Sequence, residues 1–196
     1  MMSDIRSFVA IELPESIRAD IRELQRALRS YRFDIRWVEP VNMHLTLTFL
    51  GDVDPSRIED VGRALSETAA GCPVFQLVPR DLGVFPNMRQ PRVIWAGIGG
   101  QTAILRSLRK SVDVALGPLG FEMENRPYRG HLTLGRVKRG MDHGRLADAL
   151  RTHGEFVSRP FYVERLILFK SQLYPGGPVY TKLREMPLGH PSVSTL

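Results

Sequence analysis

The tetrapeptide H-L-T-L stands twice in this chain, within MHLTLTFLG at residues 43–51 and within GHLTLGRV at residues 130–137, although the chain holds only five histidines. Around each copy the apolar pattern follows one order: strand, helix, H-L-T-L strand, helix. This reads as duplication of one supersecondary unit. A duplicated unit restricts the fold sharply. If the two halves pack about a pseudo-twofold axis, equivalent strands face each other across the junction, and His44 and His131 share one cleft.

The pattern supports that order element by element. SFVAIEL reads as a buried strand, and PESIRADIRELQRALRS follows as a helix with Ile17, Ile21, Leu24 and Leu28 on one stripe. IRWV and HLTLTFLG are strands. DPSRIEDVGRALSETAAG opens with Asp54 as cap and Pro55 at the first helical position, with Ile58, Val61 and Leu65 inward. After VFQLVPRDLGVFP, a strand pair or one long bent strand, the order restarts. RVIWAGI is a strand, QTAILRSLRKSVDVALG a helix with Leu105, Leu108, Val112 and Leu116 inward, HLTLGRV a strand and DHGRLADALRT a shorter helix. FVSRPFYVERLILFKSQL and VYTKLREM look like strands, and GHPSVSTL at the end like a frayed tail.

Strand geometry sets the chemistry of the motifs. Alternate side chains point to opposite faces, so His44, Thr46 and Thr48 face the cleft while Leu45, Leu47 and Phe49 face the core. The same parity sets His131 and Thr133 against Leu132 and Leu134. Two imidazoles and two hydroxyls arranged symmetrically suit in-line displacement at phosphorus. There a base takes a proton on one side, an acid gives one on the other, and donors hold the non-bridging oxygens between them. Imidazole serves both roles near neutral pH because its reference pKa is about 6.5.

Competing readings of the histidines carry less. A lone H-L-T-L is more often a strand with a hydrogen-bonded histidine, but packing alone would preserve the leucines of a repeat and has no need of the His and Thr. A metal site lacks Cys, Asp or Glu on the cleft face of either motif strand, and no H-x-x-x-H or C-x-x-C spacing exists. His143, His153 and His190 fall at a helix start, a loop and the tail, where surface placement is expected. GIGG at 97–100 lacks the G-x-G-x-x-G pattern, so no nucleotide-binding loop is visible.

Composition bounds the rest. At 196 residues, 43% hydrophobic and 24% charged, the chain can bury a sizeable core as one domain or two small lobes. One cysteine, Cys72, cannot form an internal disulfide, and FVAIEL is too short, and broken by Glu12, to act as a signal peptide or membrane segment. A cytoplasmic protein is expected. The net charge is +6 and lysine occurs only at Lys110, Lys138, Lys170 and Lys182, so arginine carries most of the basic charge. The planar guanidinium suits bidentate phosphate contact, which leans toward a phosphate-bearing partner.

Two H-x-T-x motifs on a duplicated α+β unit resemble the two-histidine (2H) phosphoesterase superfamily. The wider context, FVAIELP, RWVEPVNMHLTLTFLGDV, GVFPNMRQPRVIWAGI, GFEMENRPYRGHLTLGRV and LILFKSQLYPGGPVYTKL, is similar to its bacterial and archaeal RNA 2′,3′-cyclic phosphodiesterase branch, first described as 2′-5′ RNA ligases. The resemblance spans about residues 7–186. It implies an α+β, duplicated two-lobe fold, with antiparallel sheets lining a central cleft and helices outside, as a single bilobal domain over 1–196. It also implies hydrolysis of RNA or nucleotide 2′,3′-cyclic phosphates to 2′-phosphomonoesters without metal or other cofactor, weak reversible 2′-5′ joining, and a monomer with RNA ends or cyclic nucleotides as partners.

By position, the resemblance makes His44 and His131 the acid and the base, Thr46 and Thr133 the phosphate-holding hydroxyls, and Arg136 a residue near the phosphate. Strand parity points Arg136 away from the cleft, so that role requires a twist or bulge at Gly135. Gly130 stands where the family usually has proline. Arg126, Tyr128 and Arg129 precede the second motif and are expected on the rim, contacting the nucleotide, with Tyr128 stacking on a base. A competing class is an RNA-binding module that grips phosphate without chemistry. Turnover of 2′,3′-cyclic AMP separates the two.

Overall fold

The computed structural model describes residues 3–122 and 127–189. Among these residues the chain forms nine strands and four α-helices, in the order β1 (Ile5–Glu12), α1 (Glu15–Arg29), β2 (Ile35–Trp37), β3 (His44–Val53), α2 (Ile58–Ala70), β4 (Phe75–Phe85), β5 (Val93–Gly100), α3 (Thr102–Leu116), β6 (His131–Val137), α4 (His143–His153), β7 (Phe161–Val163), β8 (Arg165–Tyr174) and β9 (Gly177–Pro187). The strands build two sheets, one ordered β3-β1-β8-β9 and the other β2-β6-β5-β4-β7, with every pair antiparallel. The anticipated α+β fold with two antiparallel sheets is present.

The helices form where the apolar spacing placed them. Ile17, Ile21, Leu24 and Leu28 of α1 and Leu105, Leu108, Val112 and Leu116 of α3 are all buried. Each such side chain contributes about 1.5–3 kcal/mol of burial free energy. The Asp54 carboxylate accepts from the Ser56 backbone N–H ahead of α2, and the Asp142 carboxylate accepts from the Arg145 N–H at the start of α4, so both capping aspartates satisfy donors the helix cannot. VFQLVPRDLGVFP is one long strand, β4, irregular at Asp81, whose φ is +60°. Residues 190–196, most of the expected tail, lie outside the described residues.

The two sheets do not divide the sequence into its two halves. β2 precedes the first motif, yet it pairs with β6 of the second, Ile35 opposite Val137 and Trp37 opposite Gly135. Gly135 permits this, because a Cβ there would run into Ile35. β8 and β9 return from the C-terminal third to complete the first sheet. α1 crosses too: Gln25 donates from its side-chain amide to the Val38 and Leu134 carbonyls at 2.8 and 2.9 Å, and Asp20 accepts from Ser158 and Arg159. α2 and α3 pack together. The exchange lets residues of both sheets and all four helices share one continuous buried cluster, from Val9 and Leu45 to Leu132 and Leu166. Two isolated units of this size would each bury a smaller fraction of their surface.

Candidate active site

Both H-L-T-L strands carry an irregularity at the same letter. On β3 the pairing runs Ala10 with Thr46 and then Val9 with Thr48, so Leu47 is the extra residue. On β6 it runs Trp95 with Thr133 and then Ile94 with Gly135, so Leu134 is the extra residue. A bulge puts two successive residues against one partner and reverses the parity beyond it. Three expectations are decided by this. Thr48, expected in the cleft, pairs with Val9 on the core side and is buried. Phe49, expected in the core, lies on the cleft face beside Phe8, with ring centroids 6.0 Å apart, and is 69% exposed. Arg136 returns to the face of His131 and Thr133, through the bulge that its proposed role required. The strands thus present matched pairs, His44 with His131 and Thr46 with Thr133, while the next cleft position holds Phe49 on one side and Arg136 on the other.

The imidazoles are held in the same way. His44 Nδ1 lies 2.9 Å from the Asn42 carbonyl oxygen, and His131 Nδ1 lies 2.9 Å from the Arg129 carbonyl oxygen, each two residues upstream. A carbonyl only accepts, so Nδ1 carries the hydrogen in both rings and Nε2 is left to exchange protons. β3 and β6 are in contact at the junction of the sheets. A Cβ at Gly130 would come close to Leu105, Ile98 and Leu45, and His131 keeps the same anchoring as His44. Among the described residues neither the Thr46 nor the Thr133 hydroxyl has a hydrogen-bond partner in the protein.

Aromatic walls set the electrostatics. The His44 ring lies 4.6 Å from Phe8 and 6.0 Å from Phe169, with Tyr180 edge-on at 5.1 Å. His131 meets the Phe85 ring edge-on at 5.0 Å, and Arg129 lies 4.6 Å over Trp95. Burial holds the His44 pKa down to about 4, opposed by its bond to Asn42. Burial also lowers His131, and the Arg129 and Arg136 charges lower it further. Both rings are therefore neutral near pH 7 in the free protein. In a proton NMR titration His44 should stay neutral until about pH 4 and His131 should titrate below 6.5. Addition of a 2′-nucleotide should raise both, because an anion favours the charged imidazole. Titration of both rings at 6.5, unmoved by the anion, would contradict this account of the cleft.

The remaining expected residues fall differently. Tyr128 is not a free rim side chain: its hydroxyl donates to the Thr46 carbonyl at 3.0 Å, its ring packs on the core, and Arg109, which is paired with Asp113, lies 5.9 Å from it. It joins the strand entry of one motif to the strand of the other. Burial raises its phenol pKa. Arg129 is exposed but lies over Trp95, and Arg126 lies outside the described residues. Of the other histidines, His143 is exposed at the start of α4, as expected, and His153 ends that helix rather than lying in a loop.

Parity reasoning missed the aromatic lining of Phe8, Phe85, Trp95, Phe169 and Tyr180. Alternation of F-V-A-I-E in β1 would have paired Phe8 with Ala10 on one face, but nothing local says which face is the cleft. Gly83 is part of this lining, because it sits opposite Trp95 and a Cβ there would overlap the indole. Gly83→Ala should destabilise the fold by about 1–3 kcal/mol through forced displacement of Trp95, read as a lower urea midpoint. An unchanged midpoint would show that the indole has room to move.

Among the described residues no group of three or more His, Cys, Asp or Glu side chains is placed to hold a metal ion. No helix among them is long and apolar enough to cross a membrane.

Two sheets, each carrying one histidine strand anchored in the same way, fit a two-histidine phosphoesterase. The chain belongs to the LigT like Phosphoesterase family, whose model matches residues 11–95 and 99–180. It is 34% identical to the RNA 2′,3′-cyclic phosphodiesterase of Methanothermobacter thermautotrophicus over 91% of this chain and 96% of that protein. A crystal structure from Thermus thermophilus matches with a TM-score of 0.80 at 29% identity, covering 95% of this chain and 99% of that one. Escherichia coli LigT complexed with 3′-AMP matches with a TM-score of 0.71 at 27% identity, covering 94% and 98%.

Proposed function

We infer that this protein opens 2′,3′-cyclic phosphates at the ends of RNA or on nucleotides, leaving a 2′-phosphomonoester. The matched anchoring of the two imidazoles carries the reading, because it leaves one Nε2 for each of the two proton transfers that in-line displacement needs. His131 Nε2 takes a proton from water as the water oxygen bonds to phosphorus. The P–O3′ bond breaks, and His44, which takes up a proton on Nε2 once the phosphate anion is bound, gives that proton to the departing 3′-oxygen. Thr46 and Thr133 donate to the non-bridging oxygens, and Arg136 offsets charge that grows on them. Tyr128 supports the geometry by tying Thr46 to the second motif. With a 5′-hydroxyl in place of water as the nucleophile, the same steps give weak 2′-5′ joining.

The low His44 pKa favours a second reading of the roles. In the free cleft a ring with a pKa of about 4 is neutral, which is the state of a base, while the less buried His131 takes up a proton more readily. The bound phosphate anion favours one charged ring, which serves as the acid, beside one neutral ring, which serves as the base. The reaction proceeds with the chain as one bilobal, monomeric unit, and the lone buried Cys72 fits a cytoplasmic setting.

Incubation with 2′,3′-cyclic AMP in EDTA, followed by chromatography, tests the reading. The expected product is 2′-AMP. Unchanged substrate would favour a phosphate-gripping module, and activity restored by a divalent ion would favour a metal mechanism.

A further inference from the structure

Beyond the four motif side chains, the cleft face carries a charge arrangement that the cyclic phosphate alone does not account for. Arg36 of β2 pairs directly with Arg136 of β6, so the two side chains leave the sheet on the same face. Like charges placed opposite each other on neighbouring strands are destabilising. Among the described residues neither guanidinium has an ion pair or a hydrogen bond, and both residues are exposed, whereas Arg18, Arg22, Arg165 and Arg184 each pair with a glutamate. The Arg36 guanidinium reaches the β8–β9 turn of the opposite sheet, 3.6 Å from where a Cβ on Gly177 would be. Gly177 has φ +128° and offers backbone without a side chain there. Tyr180, on the same hairpin, feels the positive charges of Arg136 and Arg6 and touches His44 edge-on.

These groups surround a position one strand farther from the histidines than Arg136, a step of about 4.8 Å in the pairing direction. We propose that Arg36 and Arg136 together form a second phosphate subsite, which takes the internucleotide phosphodiester adjoining the reacting cyclic phosphate. The proposal rests on the function inferred above and adds the substrate class: an oligonucleotide end in preference to a cyclic mononucleotide. The anion relieves the repulsion between the guanidiniums, and each offers a planar fork for its oxygens. Arg36 is a binding residue that touches substrate only when a second phosphate is present.

The test compares Arg36→Ala and Arg36→Lys with the native protein on two probes, 2′,3′-cyclic AMP and the diadenylate ApA ending in a 2′,3′-cyclic phosphate. Loss of a charge-assisted contact should lower kcat/KM on ApA about tenfold more than on the mononucleotide. Lysine should restore part of the difference, since it keeps charge but not the fork. In binding to a single-stranded oligoadenylate with a 2′-phosphate end, followed by fluorescence anisotropy, the alanine variant should show a salt slope smaller by about 0.7–1. The melting temperature of the free alanine variant should be equal or higher, because a repulsion is removed. Equal losses on both probes, a lower melting temperature with parallel losses, or an unchanged salt slope would each overturn the subsite. If the native protein turns over neither probe, the functional reading fails, and the anisotropy slopes still decide the subsite on their own.

Discussion

Alanine at His44 or at His131 should lower kcat on 2′,3′-cyclic AMP by about 10²- to 10⁴-fold with the fold intact, the usual cost of losing a general acid or base. Among the described residues the one protein hydrogen bond of each ring goes to a carbonyl two residues away, so truncation leaves the sheet ladders in place. Circular dichroism and the urea midpoint check that condition. Thr46→Ala and Thr133→Ala should each cost up to about 10²- to 10³-fold, the range for one transition-state donor. The Thr46 backbone carbonyl keeps its bond from Tyr128 in the variant, so the loss reports the hydroxyl. Near-normal turnover in either histidine variant would remove the proton-transfer mechanism.

The second large effect separates the two rings, which pseudo-symmetry makes alike. A leaving group of low pKa departs without a proton, so on a nitrophenyl phosphodiester bound in the same orientation the general acid becomes dispensable while the base does not. With His44 as acid and His131 as base, His44→Ala should be largely rescued on the activated ester and His131→Ala should stay impaired by about 10²-fold or more. Rescue of His131→Ala instead would establish the opposite order, which the stronger desolvation of His44 favours in the free cleft. Rescue of neither would mean that both rings chiefly stabilise charge on the phosphoryl group.

The sheet asymmetry at the position after each bulge gives this pseudo-symmetric site a direction. Phe49 offers an exposed ring where Arg136 offers a charge, and Arg36 extends the charged side alone. The proposed site therefore has Phe49 beyond one bulge and two arginines beyond the other. The asymmetry arises because the bulges repeat and the residues beyond them do not.

The sequence by itself determined the local and the repeated. The spacing of Ile17, Ile21, Leu24 and Leu28, the capping Asp54 and Asp142, and the two H-L-T-L strands act over a few residues, where periodicity and side-chain chemistry are enough to specify structure. Duplication then made one shared cleft the natural arrangement for His44 and His131. Only the tertiary structure decided which strands pair and where parity breaks. The pairing of β2 with β6, the crossing of α1 and the return of β8 and β9 follow from filling one continuous core, a demand that no local window contains. The bulges at Leu47 and Leu134 follow from register with β1 and β5, and they turned Thr48 inward, Phe49 outward and Arg136 to the face of His131 and Thr133. The pairing of β2 with β6 likewise set Arg36 beside Arg136. A one-residue shift in register moves every later side chain to the other face, and register is set by partners far away in the chain.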